Sequence, residues 1–341
     1  MKSDTAVVIL NYNGAEMLLR FLSSVVEHTP DARIVVADNG STDNSLNVLR
    51  DNFPIVGVIE LGANYGFAEG YNRALSQVEA TYYVLLNSDV EVTHGWLTPI
   101  IDIMEADKSI AACQPKVLAY DKKTHFEYAG ASGGFIDAYG YPFCRGRILD
   151  NVEEDKGQYD APCRIFWATG AALVVRSEVF KRVGGFDGRF FAHMEEIDLC
   201  WRILARGGVI MALPVSVVYH IGGATLHKSN PRKTYLNFRN NLLMLYKNMP
   251  DERLRRAMRV RCLLDAVAAI KFLLTGEWGN FKAVLMARRD FKRVKKDFAA
   301  SRAENLSETK TDTLARMCNF SILWRYYAKG IRSFSQLFIN Q

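Results

Sequence analysis

The chain has 341 residues, 49% apolar and 23% charged, the balance of a globular protein able to bury a sizeable core. Its six cysteines are scattered with no CxxC pair, so reduced thiols in a cytosolic compartment are the expectation. The net charge of +6 conceals an asymmetry: residues 1–230 hold 20 Lys+Arg against 28 Asp+Glu, and residues 231–341 hold 23 against 9.

No signal peptide is read at the start, where MKSDTAVVILNYNG runs directly into a strand-like stretch. AVVILNY (6–12) predicts a buried strand, and GAEMLLRFLSSVVEHT an amphipathic helix. RIVVADN (33–39) is a second strand, with a helix expected from about Ser41, where Ser and Asp offer caps. VGVIEL (56–61) is a third strand, GFAEGYNRALSQV a helix and TYYVLLNSD (81–89) a fourth strand. Strand and helix alternating at this spacing imply βαβ crossovers and a sheet covered on both faces.

In such sheets ligands bind beyond the carboxyl ends of the strands. Those ends are polar here: Asn11 and Asn13, Asp38 and Asn39, Asn64, then Asn87 and Asp89. One acidic strand end is commonly a helix cap, but four polar ends on one edge suggest a site. No GxGxxG follows the first strand and no GxxxxGK[ST] occurs, which removes the dinucleotide and P-loop readings.

Residues 121–165 lose periodicity and read as a long loop or a small inserted hairpin. FWATGAALVVRSEVFKRVGGFD (166–187) returns a strand and a short helix, IDLCWRILARGG (197–208) a helix stopped by a glycine pair, and VIMALPVSVVYHIGG (209–223) a strand. From Arg232 onward the pattern is helical and basic. LLDAVAAIKFLL (263–274) is too short, and too interrupted by Asp265 and Lys271, to span a bilayer. FKRVKKDFAASR and WRYYAKGIRSF carry the basic and aromatic residues of helices that lie on anionic membranes. A basic tail without any recognised motif argues against nucleic acid.

Six segments in order, VILNYNG (8–14), VVADNGSTDNS (35–45), NYGFAEGYN (64–72), LLNSDVEV (85–92), GAALVVRSEVFKRVGGFDGRFFAHMEEIDLCWR (170–202) and VYHIGG (218–223), resemble a known family. It is the bacterial family-2 glycosyltransferases of GT-A fold, close to their rhamnosyltransferase-like branch. The resemblance spans about residues 5–245. It implies a mixed α/β sheet with helices on both faces in residues 1–245, and a helical, basic C-terminal region in 246–341.

The same resemblance implies inverting transfer of a sugar from a nucleotide-diphosphate donor to a hydroxyl of a glycan or lipid-linked glycan. It implies Mg²⁺ or Mn²⁺ to neutralise the departing diphosphate, and a cytoplasmic protein peripheral at the inner membrane. Asp89 matches the last aspartate of the family's DxD motif, with Asn87 at its first acidic position. Asp89 is the implied metal ligand, and Asn87 touches sugar or ribose. His220 matches a histidine near the metal, while His193 and His227 have weaker claims. Asp38 matches the aspartate that bonds the donor's base, with Asn11 and Asn13 as the pocket wall and Asn64 and Asn72 as softer donor-site candidates.

An inverting displacement needs a base beside the acceptor hydroxyl. The family's Glu-Asp pair corresponds here to Glu195–Glu196, so Glu196 holds the base position on a side chain one methylene longer, with Glu195 the alternative. Asp198, four residues before Arg202, reads as a salt-bridged helix acid. A sugar-nucleotide nucleotidyltransferase would share the sheet but needs an early triphosphate loop that LNYNGAEMLLR lacks. A catalytically decayed glycan- or membrane-binding protein is the other rival.

Overall fold

The computed structural model describes residues 4–222 and 230–338. The chain opens with β1 (Thr5–Asn11), α1 (Ala15–His28), β2 (Arg33–Asp38), α2 (Ser45–Asn52), β3 (Gly57–Glu60), α3 (Gly66–Leu75), β4 (Tyr82–Asn87), β5 (Val90–Val92) and α4 (Thr98–Ala106). There follow β6 (Ile110–Ala119), β7 (Lys122–Phe126), β8 (Gly134–Ile136), β9 (Pro142–Cys144), β10 (Arg147–Ile148), β11 (Asn151–Val152) and β12 (Cys163–Arg164). Then come β13 (Ala172–Arg176), α5 (Ser177–Arg182), α6 (Glu195–Ala205) and β14 (Val209–His220). The remainder is helical: α7 (Pro231–Asn248), α8 (Asp251–Leu274), α9 (Trp278–Val294), α10 (Ala299–Ser307) and α11 (Ile322–Tyr327).

The main sheet runs β12-β14-β6-β13-β4-β1-β2-β3, with β5 on β14 and β7 on β6. β1 to β4 are parallel, β13 is antiparallel to both β4 and β6, and β14 is parallel to β6. Alternate residues of β1 enter different cores. Ala6 and Val8 join Tyr71 of α3 and Trp201 of α6, whereas Val7 and Ile9 join Leu18 and Leu22 of α1 and Ile100 of α4. A strand buried on both faces must be apolar throughout, which is why these runs show no polar alternation.

Two expectations change. α2 starts at Ser45 and not near Ser41, because the would-be caps serve the loop after β1 and the first turn of α1: Ser41 Oγ accepts from Asn13 N and Asp43 Oδ2 from Ala15 N. Residues 121–165 are more than a loop or hairpin. Besides β7 and β12, which join the main sheet, they form a separate antiparallel sheet, β11-β10-β9-β8, tucked under the helices. Gly134 lies there beneath Trp167, where an added Cβ would come within 2.1 Å of the indole. Residue 245 lies inside α7, and Leu243 to Leu245, Leu254, Phe298 and Ile322 share the core of α3 and α6.

Candidate active site

Parallel register sets Asn11 opposite Asp38 and Leu10 opposite Asn87, so three polar strand ends meet at one edge. Asn11 Nδ2 donates to Asp38 Oδ1 (3.3 Å) and Ser41 Oγ (3.2 Å), and Asp38 Oδ2 accepts from Ser41 N at 3.0 Å. Asn13 sits at φ 51° and its Oδ1 accepts from Thr42 N at 2.7 Å, tying the loop after β1 to the loop after β2. The wall expected from Asn11, Asn13 and Asp38 is therefore a single hydrogen-bonded unit. Its closeness demands Gly14, where an added Cβ would fall 2.4 Å from Asn11 Oδ1.

A second group forms where β5 pairs with the end of β14. His220 Nε2 lies 3.1 Å from Asp89 Oδ1 and 3.5 Å from Asn87 Nδ2, and its Nδ1 lies 3.5 Å from Glu127 Oε2. Burial pushes the Asp89 carboxyl up, but the facing imidazole outweighs it and holds it below the usual range. Burial likewise opposes the charge on His220, and Asp89 and Glu127 overcome this, raising it to about 10. Glu127 was not anticipated: it follows β7 in a stretch without periodicity, and its one sequence signal is an acid at a strand end. Gly222, at φ 70°, leaves room for it, since a Cβ there would approach Glu127 Oε1 to 2.5 Å. His227 lies outside the described residues.

The third group is the turn into α6. Phe191, His193 and Met194 have φ of 66°, 70° and 73°, left-handed values that side-chain-bearing residues avoid unless held. The holding groups are visible. Phe191 O accepts from Phe67 N at 2.7 Å and Ala68 N at 3.2 Å, and Gly66 makes space for the Phe191 ring. From α7, Asn240 Nδ2 reaches the carbonyls of Phe190, Ala192 and His193 at 2.9, 2.8 and 2.8 Å.

The turn delivers Glu195 and Glu196 as the first residues of α6. Glu196 lies against the segment that leads into β13, with its Cβ 3.9 Å from where an added Cβ on Gly170 would stand, and the next residue, Ala171, accepts from Asn87 N at 3.0 Å. Burial raises the Glu196 carboxyl to about 7. Burial and then the adjacent Glu196 charge push the Glu195 carboxyl well above its ordinary value. The buried Asp198 makes the Arg202 pair read from the sequence (3.0 Å) and adds Lys247 (2.9 Å) and Asn248 (2.8 Å) from α7.

Asn64 stays near the edge, its Oδ1 accepting from Gly66 N (2.9 Å) and Asn39 Nδ2 (3.3 Å). Asn72 does not. Its amide is spent on Phe186, donating to the carbonyl at 2.8 Å and accepting from the N–H at 3.0 Å, which corrects its place among the donor-site residues. Eight buried side-chain polar atoms lack a well-formed hydrogen bond among the described residues, though two of them, on Arg202 and His220, face a carboxylate; four others belong to Asn11, His193, Glu195 and Glu196. Unsatisfied buried groups are rare in folded proteins, and half of these gather at the strand-end edge and the turn into α6. No group of three or more His, Cys, Asp or Glu able to hold a metal occurs among the described residues.

The family description "Glycosyl transferase family 2" matches residues 6–182, over half of the chain. The chain belongs to glycosyl transferase family 2. It is a glycosyltransferase that uses a nucleotide-sugar donor, and the nucleotidyltransferase alternative is set aside. Among its relatives is N-acetylglucosaminyl-diphospho-decaprenol L-rhamnosyltransferase of Mycobacterium tuberculosis, 26% identical over 229 residues, covering 63% of this chain and 75% of the relative. The pre-mycofactocin glycosyltransferase of the same organism is 26% identical over 240 residues, covering 68% of this chain and 46% of the relative.

Two solved structures share the GT-A fold. GalNAc-T7 with UDP, GalNAc and Mn²⁺ matches at TM-score 0.59 and 19% identity, covering 73% of this chain and 48% of that one. A mannosyltransferase from Pyrobaculum calidifontis with GDP-Man and Mn²⁺ matches at TM-score 0.53 and 15% identity, covering 90% and 88%. The chain thus spans under half the length of two of these four proteins.

Proposed function

We propose that this glycosyltransferase transfers its sugar with inversion to a hydroxyl of a lipid-linked or cell-surface glycan, at the inner face of the cell membrane, with Glu196 as base. One observation carries the assignment of the base: Glu196 has an unpaired buried oxygen, Oε2, and a carboxyl that titrates at about 7. A base works best when its pKa lies near the operating pH.

Glu196 Oε2 takes the acceptor's hydroxyl proton as the acceptor oxygen bonds to the anomeric carbon. The bond from that carbon to the diphosphate breaks on the opposite face, and the nucleoside diphosphate leaves. Glu195, buried beside it with its carboxyl shifted towards the neutral form, keeps a second negative charge away from the base. Asp38 and Asn11 bond the donor's base, with Asn13 and Asn64 framing that side and Asn87 facing the sugar. Residues 1–245 hold this machinery, and the helical region from 246 onward packs into the same core.

Asp89 and His220 fit a divalent cation, Mg²⁺ or Mn²⁺. A carboxylate oxygen and an imidazole nitrogen, 3.1 Å apart, would supply two ligands once the cation displaces the proton that the pair holds on the imidazole, and hard cations of this type complete their shell with phosphate oxygens and water. Such an ion supplies positive charge to the leaving diphosphate. The lipid-linked acceptor is supported by the name of the mycobacterial rhamnosyltransferase, which acts on a decaprenol diphosphate.

The test is to incubate the protein with a panel of nucleotide sugars and Mg²⁺ or Mn²⁺, with and without chelator, comparing wild type with Asp89→Ala. Metal-dependent donor turnover lost in the variant is expected. Absence of both donor binding and turnover across the panel would overturn the reading, and chelator-resistant turnover would remove the metal.

A further inference from the structure

α8 carries an apolar stripe on its outer side, while Leu254, Ala257 and Ala269 are buried on its inner side beside a charged pair. In a helix on a soluble protein the apolar stripe faces the core and the charges face water. The body-facing side of α8 instead buries Arg261 and Asp265, joined at 3.2 Å, with Arg288 of α9 also bonded to Asp265 and Tyr141 stacked on the Arg261 guanidinium. The opposite side presents Leu263, Val267, Ile270 and Leu274, which are 54% to 81% exposed. Their spacing of four, three and four residues places them in one stripe.

The stripe has a distinct chemical rim. Towards the N-terminus it continues as exposed Arg256 and Arg259. Across the short turn to α9, Trp278 is 59% exposed, and Lys282, Leu285, Met286 and Arg289 lie outward along the same helix. Residues 251–294 hold eleven Lys+Arg against five Asp+Glu. Between Arg256 and Leu274, and between Trp278 and Arg293, the two acids, Asp265 and Asp290, are buried and bonded.

We infer that the outward faces of α8 and α9 form the surface by which this protein docks on an anionic lipid bilayer. An apolar stripe with a tryptophan at one end and arginines at the other is what lies in the headgroup region of a membrane. The charge decides between partners: a second copy of the same face would set arginine against arginine with Asp251, Glu252 and Glu277 as the exposed acids at its ends and none along the stripe between Arg256 and Leu274, whereas anionic headgroups complement the basic excess. No helix among the described residues is long and apolar enough to cross a membrane, so the contact is lateral.

This corrects one of the two segments expected from the sequence, while WRYYAKGIRSF keeps Trp324 and Tyr327 exposed. In FKRVKKDFAASR, Phe298 is buried and Phe291 packs on Tyr246, so that segment turns its aromatics into the body. The inference rests on the proposed membrane-borne acceptor for its purpose, and names the face that brings the enzyme to it.

The experiment is flotation of the full chain with phosphatidylcholine vesicles, with and without phosphatidylglycerol, at low and high salt. Wild type should float with the anionic vesicles only, and less at high salt. Val267→Glu/Ile270→Glu and, separately, Arg256→Glu/Arg259→Glu should each lower partition by roughly tenfold or more. Nucleotide-sugar binding by thermal shift should be unchanged in both, which also shows that they fold. Equal partition of wild type and variants, or equal binding to neutral vesicles, would overturn the inference. So would a wild-type dimer abolished by the same changes, or binding to a nucleic acid in place of vesicles. Donor binding without flotation sinks only the docking face, whereas flotation without donor binding sinks the proposed function.

Discussion

Asn240 donates its side-chain amide to the carbonyl oxygen of His193 at 2.8 Å, and through that bond α7 holds the left-handed turn that launches Glu195 and Glu196. The same nitrogen also serves Phe190 and Ala192, so one side chain restrains most of the turn. Asn240→Ala leaves three carbonyls without this donor and lets the turn relax. Small displacements of a reacting group cost about a hundredfold in rate, so kcat should fall about 10- to 100-fold while donor affinity stays within about twofold. Steady-state kinetics beside donor titration separates the two. An unchanged kcat would show that the turn holds itself.

Glu196 links activity and stability in opposite directions. Its carboxyl is raised from 4.5 to about 7 by burial, so the folded state binds this proton more tightly than the unfolded chain. Stability from this group is complete below about pH 4.5 and is lost as pH rises through about 7, at most about 3 kcal/mol in all. Glu196→Gln should therefore abolish transfer, spare donor binding, and raise stability above about pH 7, where wild type must bury the charge. The acid limb of the wild-type rate profile should bend near pH 7. Unchanged turnover would move the base to Glu195.

Run length and strand-end polarity made much of this legible. β1, β2 and β4 declared themselves as unbroken apolar runs, and Asn11, Asp38, Asn87 and Asp89 as their polar ends. The Asp198–Arg202 pair followed from i,i+4 geometry alone. Glu127 and Asn240 did not, because each reaches its partner across a long loop closure that no local period encodes. α8 was hidden for a different reason. Periodicity says that a helix has an apolar side, but only tertiary packing says whether that side faces the core, and here the inner side carries the Arg261–Asp265 pair.

Asn72 illustrates how a motif residue can be structural. It bonds both backbone groups of Phe186, fixing the bend after the left-handed Gly185. Asn72→Ala should lower stability by about 1–3 kcal/mol, the usual consequence of leaving such groups unpaired, with donor affinity unchanged. A tenfold loss of donor affinity at intact melting temperature would restore it to the donor site.

Asp198 is the strongest case for stability in the α6 region. Burial alone would push its carboxyl up, yet Lys247 and Arg202 more than offset this and hold it below its ordinary value. Such a group contributes stability above the unfolded pKa of 3.8 that is lost as pH falls through the lower folded value. Asp198→Ala leaves Lys247 with Asp187 alone and Arg202 without its carboxylate, both buried. Breaking a buried pair costs about 3–5 kcal/mol, so urea unfolding near neutral pH should show a loss of that order. The difference from wild type should shrink in strong acid, where the wild-type carboxyl is itself protonated. Because Asp198 touches no proposed donor residue, any variant that remains folded should still bind nucleotide sugar. Loss of that binding in a folded protein would mean that the network also holds the donor-binding edge.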